Sequence, residues 1–238
     1  DGAQTMPEAM AKALPRPVET GQKITRIEVG ADGVEIESSD GKTWRASQAI
    51  CTVPLPVLAK MAVNAPLSGA QKRAFKELPY TQITQIHFHA ERPFWQEDGY
   101  GAAMWTDGPL ERLFARQGED GKPDGVFRAW VNGTGAAKLD AMTDEELARL
   151  CSEELKRLRP ASDGKVDVFK VVRWTKSNPL AGGAYLHYAP GQIGWAAETL
   201  GASAGRLHFA GEHLSYLHQG MEGAMESGER TAMALLNS

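Results

Sequence analysis

Cysteine is scarce in this 238-residue chain. Cys51 and Cys151 have neither metal-ligand nor redox-pair spacing, which excludes a thiolate metal centre, and two thiols do not decide the compartment. Long apolar runs are missing too. None approaches the length that crosses a bilayer, and the first residues show no signal-peptide pattern. The expectation is a soluble protein of the cytoplasm or periplasm. There is no excess of positive charge: 26 Lys and Arg stand against 30 Asp and Glu, a net charge of −4, which leaves no footprint for nucleic acid. Also absent is any G-x-G-x-x-G turn with a following acidic residue, so the phosphate-cradling turn of a dinucleotide fold is not here. No internal repeat or low-complexity tract is visible.

What is present is enough apolar residue, 42%, for one large domain or two small cores. The chain is organised around residues 206–236. Leu207, Phe209 and Ala210 make a compact strand that Gly211 breaks. A glycine there allows close approach to the backbone, and Glu212 follows with a carboxylate able to accept hydrogen bonds from hydroxyl groups. A closing helix is expected from near Gly220, with Met221, Ala224, Met225, Gly228, Ala232 and Leu235 as its buried face and Glu226 and Arg230 paired outside. A helix start just past a glycine turn offers free N–H groups and positive partial charge.

Elsewhere the pattern predicts an α/β (α+β mixed) chain. Thr5 and Glu8 read as a capping box around Pro7, opening a helix with Met6, Met10 and Leu14 on one side. Residues 24–29 and 33–38 alternate as a hairpin, residues 42–46 add a strand, and 48–53 form a short buried run ended by Pro54. Ser68 with Gln71, and Thr143 with Glu146, cap two further helices. The second has a buried stripe of Leu147, Leu150, Cys151, Leu155 and Leu158 and a charged face read as solvated. In the strand over 82–90, Gln85, His87 and His89 point to one face. Two histidines two apart can ligate a metal, but no cysteine or carboxylate cluster joins them, and a polar, cavity-facing strand is preferred. Strands are also expected over 100–106, 112–116, 126–131 and 166–174, with a polar loop at 118–125.

The wording of two segments adds to this. FAGEH followed by GMEGAMESGERTA, and Trp174 through Gly182-Gly183-Ala184-Tyr185, resemble the flavin-containing amine oxidase superfamily, which includes monoamine, L-amino acid and polyamine oxidases. The opening string, with Asp1 where the family has its first glycine, and Arg92-Pro93-Phe94-Trp95 resemble it as well. The resemblance covers essentially the whole chain in the expected order, but only the family's C-terminal half. It implies residues 1–66 and 181–238 as segments of an FAD-binding domain flanking a substrate-binding domain at 67–180. It implies FAD contacts at Ile24, Val53, Pro54, Trp174, Gly211, Glu212, Gly220, Met221 and Glu222.

The same resemblance places Gln85 where the family has a lysine linked to reoxidation by oxygen, so fast oxygen use is not expected. Ala184 stands where monoamine oxidases carry the cysteine bonded to FAD, so the FAD is expected to be non-covalent. Tyr185 matches one wall of the aromatic cage that orients the amine, with Trp174 beside it; Gly220 takes the place of the other wall. His187, Tyr216, His218 and Gln219 are candidates to complete the lining. The expected function is oxidation of an amine C–N bond to an imine, then hydrolysed to a carbonyl compound. The missing dinucleotide half is expected from another polypeptide, a cleaved subunit or an uncovered portion of the gene product. Until it docks, open strand edges invite association, including with further copies of the chain. An L-amino acid oxidase, with Arg92 or Arg128 as carboxylate anchors, and a non-catalytic flavoprotein-like scaffold are the alternatives.

Overall fold

The protein is described by a computed structural model covering residues 2–177 and 180–237. Asp1, at the head of the glycine-like string, Asn178 and Pro179, in the run leading to Tyr185, and Ser238 lie outside the described residues. Helix α1 (Thr5–Ala13) leads into strands β1 (Ile24–Val29), β2 (Val34–Ser38) and β3 (Thr43–Ala46), an antiparallel meander. Strand β4 (Ala49–Cys51), helix α2 (Leu55–Leu58), strand β5 (Ala62–Asn64) and helix α3 (Gly69–Glu77) follow. β5 returns parallel to β1, giving a four-stranded sheet in the order β3-β2-β1-β5.

Next come β6 (Ile83–Ala90), α4 (Phe94–Glu97), β7 (Met104–Trp105), β8 (Arg112–Gln117), β9 (Pro123–Asn132), α5 (Gly133–Asp140), α6 (Asp144–Leu158) and β10 (Val166–Arg173). They build an antiparallel five-stranded sheet, β10-β6-β9-β8-β7. One face of it carries Ile86, Phe88, Leu113, Phe127 and Ala129, all buried against Phe94 of α4, Ala136 and Leu139 of α5, and Leu147, Cys151 and Leu155 of α6. Phe127 stacks on Phe88 and Phe94 at 5.3 and 5.7 Å between ring centres. Each such side chain contributes roughly 1.5–3 kcal/mol on burial. The opposite face is polar and aromatic. Its rungs run across the strands, Gln85 beside Trp130 beside Arg112, then His87 beside Arg128 beside Phe114.

The chain then returns through α7 (Ile193–Leu200), β11 (Leu207–Phe209) and α8 (Gly220–Leu236). β11 pairs in parallel with β4, Leu207 opposite Ala49 and Phe209 opposite Cys51. A second core forms around this pair from Ile27, Val34, Leu55, Phe75, Leu200, Leu207 and Phe209.

The structure corrects several expectations. Gln4, not Thr5, precedes α1, and its amide bonds to Glu8 without a side-chain cap. Of the strand expected over 100–106 only β7 forms, and Tyr100 is exposed. The polar loop is shorter than expected because Pro123, Asp124 and Gly125 belong to β9. The charged face of α6 is not wholly solvated: Glu154 is buried and holds Arg157 at 2.7 Å. Helix α8 packs through Gly223 and Ser227, while Met221, on the expected face, is exposed and Ala224, Met225, Gly228, Ala232 and Leu235 are half-buried. The reason is polar docking: the Ser227 hydroxyl accepts the Gly211 N–H at 3.1 Å, and the Thr231 hydroxyl donates to the Phe209 carbonyl. Helices α5 and α7 had no sequence reading; α5 has Gly133 and Gly135 in its first turn, and glycine is a poor helix former.

Arg159, buried at the end of α6, binds Asp98 through two N–H groups and the Gly101 carbonyl at 3.1 Å. The guanidinium holds the Asp98 carboxyl below its ordinary 3.8. A carboxyl depressed by folding stabilises above its unfolded value and loses that contribution as the pH falls through the folded one. Arg159→Met strands the acid and is expected to cost about 3–5 kcal/mol at neutral pH, read from urea unfolding, with the deficit shrinking toward pH 3.

Candidate functional site

A cavity of about 580 Å³ opens between the two cores, where the polar face of the large sheet meets the carboxyl ends of β4 and β11. In sheets with parallel strands, ligands gather at such ends because the loops there leave a crevice. Thr52 and Pro54 follow β4, and Gly211, Glu212 and His213 follow β11, so parallel pairing alone sets the two loops side by side. Gln85 and Trp130 contribute one rung of the sheet face. Trp174, Ala184 and Tyr185 come from the segment after β10, and Ala224 from α8.

Local backbone explains these positions. Gly211 has φ of 142°, and a Cβ there would lie 2.7 Å from the His213 ring. Gly183 has φ of 146° with the Tyr80 side chain and Thr81 carbonyl at 3.0 and 3.1 Å from a built Cβ. The Gly182-Gly183 turn therefore packs against Pro56 and Tyr80. The Thr81 N–H then bonds the Tyr185 carbonyl at 2.8 Å, setting Tyr185 at the cavity.

Electrostatically the site is dry. Burial, with help from the Glu212 charge, raises the Tyr80 phenol to about 12. Burial also raises the Glu212 carboxyl, opposed by the Gly220 N–H at the start of α8. It lowers His213 from 6.5 to about 4, so this ring is neutral at neutral pH. The Trp174 indole N–H is buried with no hydrogen-bond partner among the described residues. A buried donor of that kind costs free energy until something accepts from it, and it points to an acceptor-bearing ligand.

Of the residues singled out from sequence, Pro54, Gln85, Trp174, Tyr185, Gly211 and Glu212 line this one cavity. Ile24 and Val53 do not; both are half-buried beside the second core. His187 is exposed, its Nδ1 2.9 Å from the Thr81 hydroxyl. Tyr216, His218, Gln219, Gly220, Met221 and Glu222 are exposed around the start of α8, outside the lining. Among the described residues no group of three or more His, Cys, Asp or Glu is placed to hold a metal, His87 and His89 included. Sequence reasoning missed Tyr80, Trp130 and His213. Trp130 was findable, since it alternates with Phe127, Ala129 and Val131 along β9 and so must face the other way. Tyr80 sits in a loop and gives no periodic signal.

The architecture is that of one half of an FAD-dependent amine oxidase fold. Wild-type putrescine oxidase bound to putrescine superposes with a TM-score of 0.87 at 21% identity, over 100% of this chain and 53% of that one. The family described as flavin containing amine oxidoreductase matches residues 1–236, and the chain belongs to it. Amine oxidase [flavin-containing] B of Canis lupus familiaris is 27% identical over 100% of this chain and 46% of its own length. The L-amino-acid oxidase of Siganus canaliculatus is 27% identical over 97% and 46%. The chain thus spans about half the length of these relatives. No helix among the described residues is long and apolar enough to cross a membrane.

Because the folded His213 value lies below the unfolded one, the unfolded chain binds protons more readily between pH 6.5 and 4. Stability is therefore expected to fall across that window by up to roughly 3 kcal/mol as the pH drops. His213→Gln flattens that segment of the stability–pH curve, measured by urea unfolding at a series of pH values. Gly211→Ala, forced into a left-handed conformation against the His213 ring, lowers stability by about 1–3 kcal/mol at all pH values.

Proposed function

We propose that this chain is the cofactor-capping, substrate-orienting half of an FAD-dependent enzyme that oxidises an amine C–N bond to an imine, which water converts to a carbonyl compound. The observation that carries this is the single cavity joining Gly211 and Glu212 to Gln85, Trp174 and Tyr185. The residues fit such a cofactor: a glycine without room for a Cβ, a half-buried carboxylate beside it and an unpartnered indole N–H. Bound there, the flavin would take up the hydride equivalent from the carbon bearing the amine.

The chain's own residues do the rest. Glu212 accepts hydrogen bonds from sugar-like hydroxyls, and Gly211 lets them approach. At the start of α8 the Gly220 N–H serves Glu212, and Gln219 gives no side-chain cap, so the positive end of the helix at Met221 and Glu222 would stabilise negative charge. Tyr80, Trp130, Trp174 and Tyr185 form an apolar, aromatic surround that disfavours an ammonium and so delivers the amine neutral. Tyr185 and Trp174 orient it. Gln85 is polar but uncharged and favours an electron acceptor other than oxygen, or slow oxygen use. Ala184 offers no nucleophile, so the FAD is held non-covalently. Residues 1–66 and 181–238 would form the cofactor side and 67–180 the substrate side, with α3 packed across to the former. A dinucleotide-binding half would cover the exposed Met6 and Met10 of α1, Leu14 just after it, and Met221, Met233 and Leu236 of α8.

Purified as the complete protein, it is expected to be yellow and to release all its flavin on acid precipitation. Amines should bleach it without oxygen, and air should restore the colour slowly. Gln85→Lys should hasten that recovery. A colourless, stable protein would overturn the proposal in favour of a scaffold.

A further inference from the structure

One rung above Gln85 and Trp130, the same sheet face holds a second open groove of about 480 Å³. Its floor is Lys170, His87, Arg128 and Phe114, side by side across β10, β6, β9 and β8, with Phe169 at the rim. The charges there are uneven. Arg116 is answered by Asp124 at 2.6 Å. Arg128 and Lys170 have no ion-pair partner among the described residues, and the Arg128 Nε is buried without a hydrogen bond. No carboxylate lines the groove. His87, partly desolvated and facing both cations, is disfavoured as a third charge. The Arg128 guanidinium lies 4.9 Å from the Trp130 ring centre and 5.6 Å from that of Phe114, within cation–π range of both.

From these observations we propose that the groove is the far subsite of the substrate pocket and that Arg128, helped by Lys170, takes a carboxylate at the end of the amine substrate remote from the oxidised carbon. This rests on the amine oxidation proposed above. An unpaired guanidinium with a buried N–H is completed by a planar anion, which it can meet with two parallel hydrogen bonds. Adjacent rungs on one face are about 7 Å apart. The carboxylate of an α-amino acid is only two bonds from its nitrogen, whereas an anion held one rung away from the amine is matched by a longer spacer. The substrate class is therefore an amine with a flat or apolar spacer and a distal carboxylate, and Trp130, Phe114 and Phe169 would flank the spacer.

The test compares 4-(aminomethyl)benzoate with benzylamine on the complete flavoprotein. The carboxylate-bearing amine is expected to be preferred in kcat/KM through a lower KM. Arg128→Gln should cut that preference roughly 10- to 100-fold, and Arg128→Lys should keep part of it. Lys170→Gln, at a more exposed position, should cut it less, and it decides the matter if the arginine variants do not fold. Binding of 4-methylbenzoate, which has no amine to oxidise, is followed by calorimetry and should weaken by a similar factor in Arg128→Gln. Equal KM values for the two amines in the native protein, or variants that leave their ratio unmoved, would overturn the proposal; that is the result if the rest of the protein fills the groove. If no amine bleaches the flavin yet 4-methylbenzoate binding depends on Arg128, amine oxidation fails while the anion subsite stands.

Discussion

Three residue pairs, Leu207 with Ala49, His208 with Ile50 and Phe209 with Cys51, tie the end of the chain to a point near its beginning. Everything at the site depends on that short parallel ladder. A parallel pair cannot be closed by a tight turn, and here the connection is the whole of residues 52–206, which contains the large sheet. The ladder is extended at both ends, by the Ala49 N–H to the Arg206 carbonyl and by the Ala210 N–H to the Cys51 carbonyl, each at 3.0 Å. It is weak in hydrogen bonds alone. Leu207, Phe209 and Ala210 are buried around it, and the Phe75 ring meets Phe209 edge-on at 5.5 Å, so packing carries most of its stability. Register then decides chemistry. A slip by one residue would turn Phe209 out of the core and move Gly211 and Glu212 away from Pro54.

The cavity that results is defined by desolvation more than by charge. Tyr80, Glu212 and His213 are pushed toward their neutral forms, each chiefly by burial. The opposing influence at Glu212 is a backbone N–H, not a lysine or arginine. Such a site suits chemistry that needs an uncharged amine and a preorganised set of dipoles. The unpartnered Trp174 N–H fits the same description, a donor fixed in place before its acceptor arrives.

Much of this was legible in the sequence wherever a local signal and the tertiary structure agree. Ser68 with Gln71 and Thr143 with Glu146 form the capping boxes that their spacing predicts. The alternation of β6 puts Gln85 and Ile86 on opposite faces as expected, one toward the cavity and one in the core. The readings that failed did so for a physical reason. Helix α8 docks by glycine, serine and threonine, and a face of small polar residues is invisible to hydrophobic periodicity. Met221 and Met233 are apolar but exposed in this chain and Met225 is only half-buried, so the apolar pattern missed the face that docks most closely. Tyr80 and His213 reach the cavity from loops whose positions are set by distant pairings.

The arginines give the last step. Arg159 and Arg173 are both nearly covered, and each has a carboxylate: Asp98 for the first, Asp144 at 2.7 Å for the second. Both also bond backbone carbonyls, of Gly101 and Met142. The fold therefore gives each of these two guanidinium groups a carboxylate from its own chain, although the Arg173 Nε, like that of Arg128, has no hydrogen bond. Arg128 departs from them in having no carboxylate among the described residues, at a place that also lies one rung from the cavity, against two aromatic rings. The contacts with the Trp130 and Phe114 rings offset part of the cost of a guanidinium on that face, but they leave its buried N–H without an acceptor. That acceptor can come from outside the chain and leave again, which is what a substrate does.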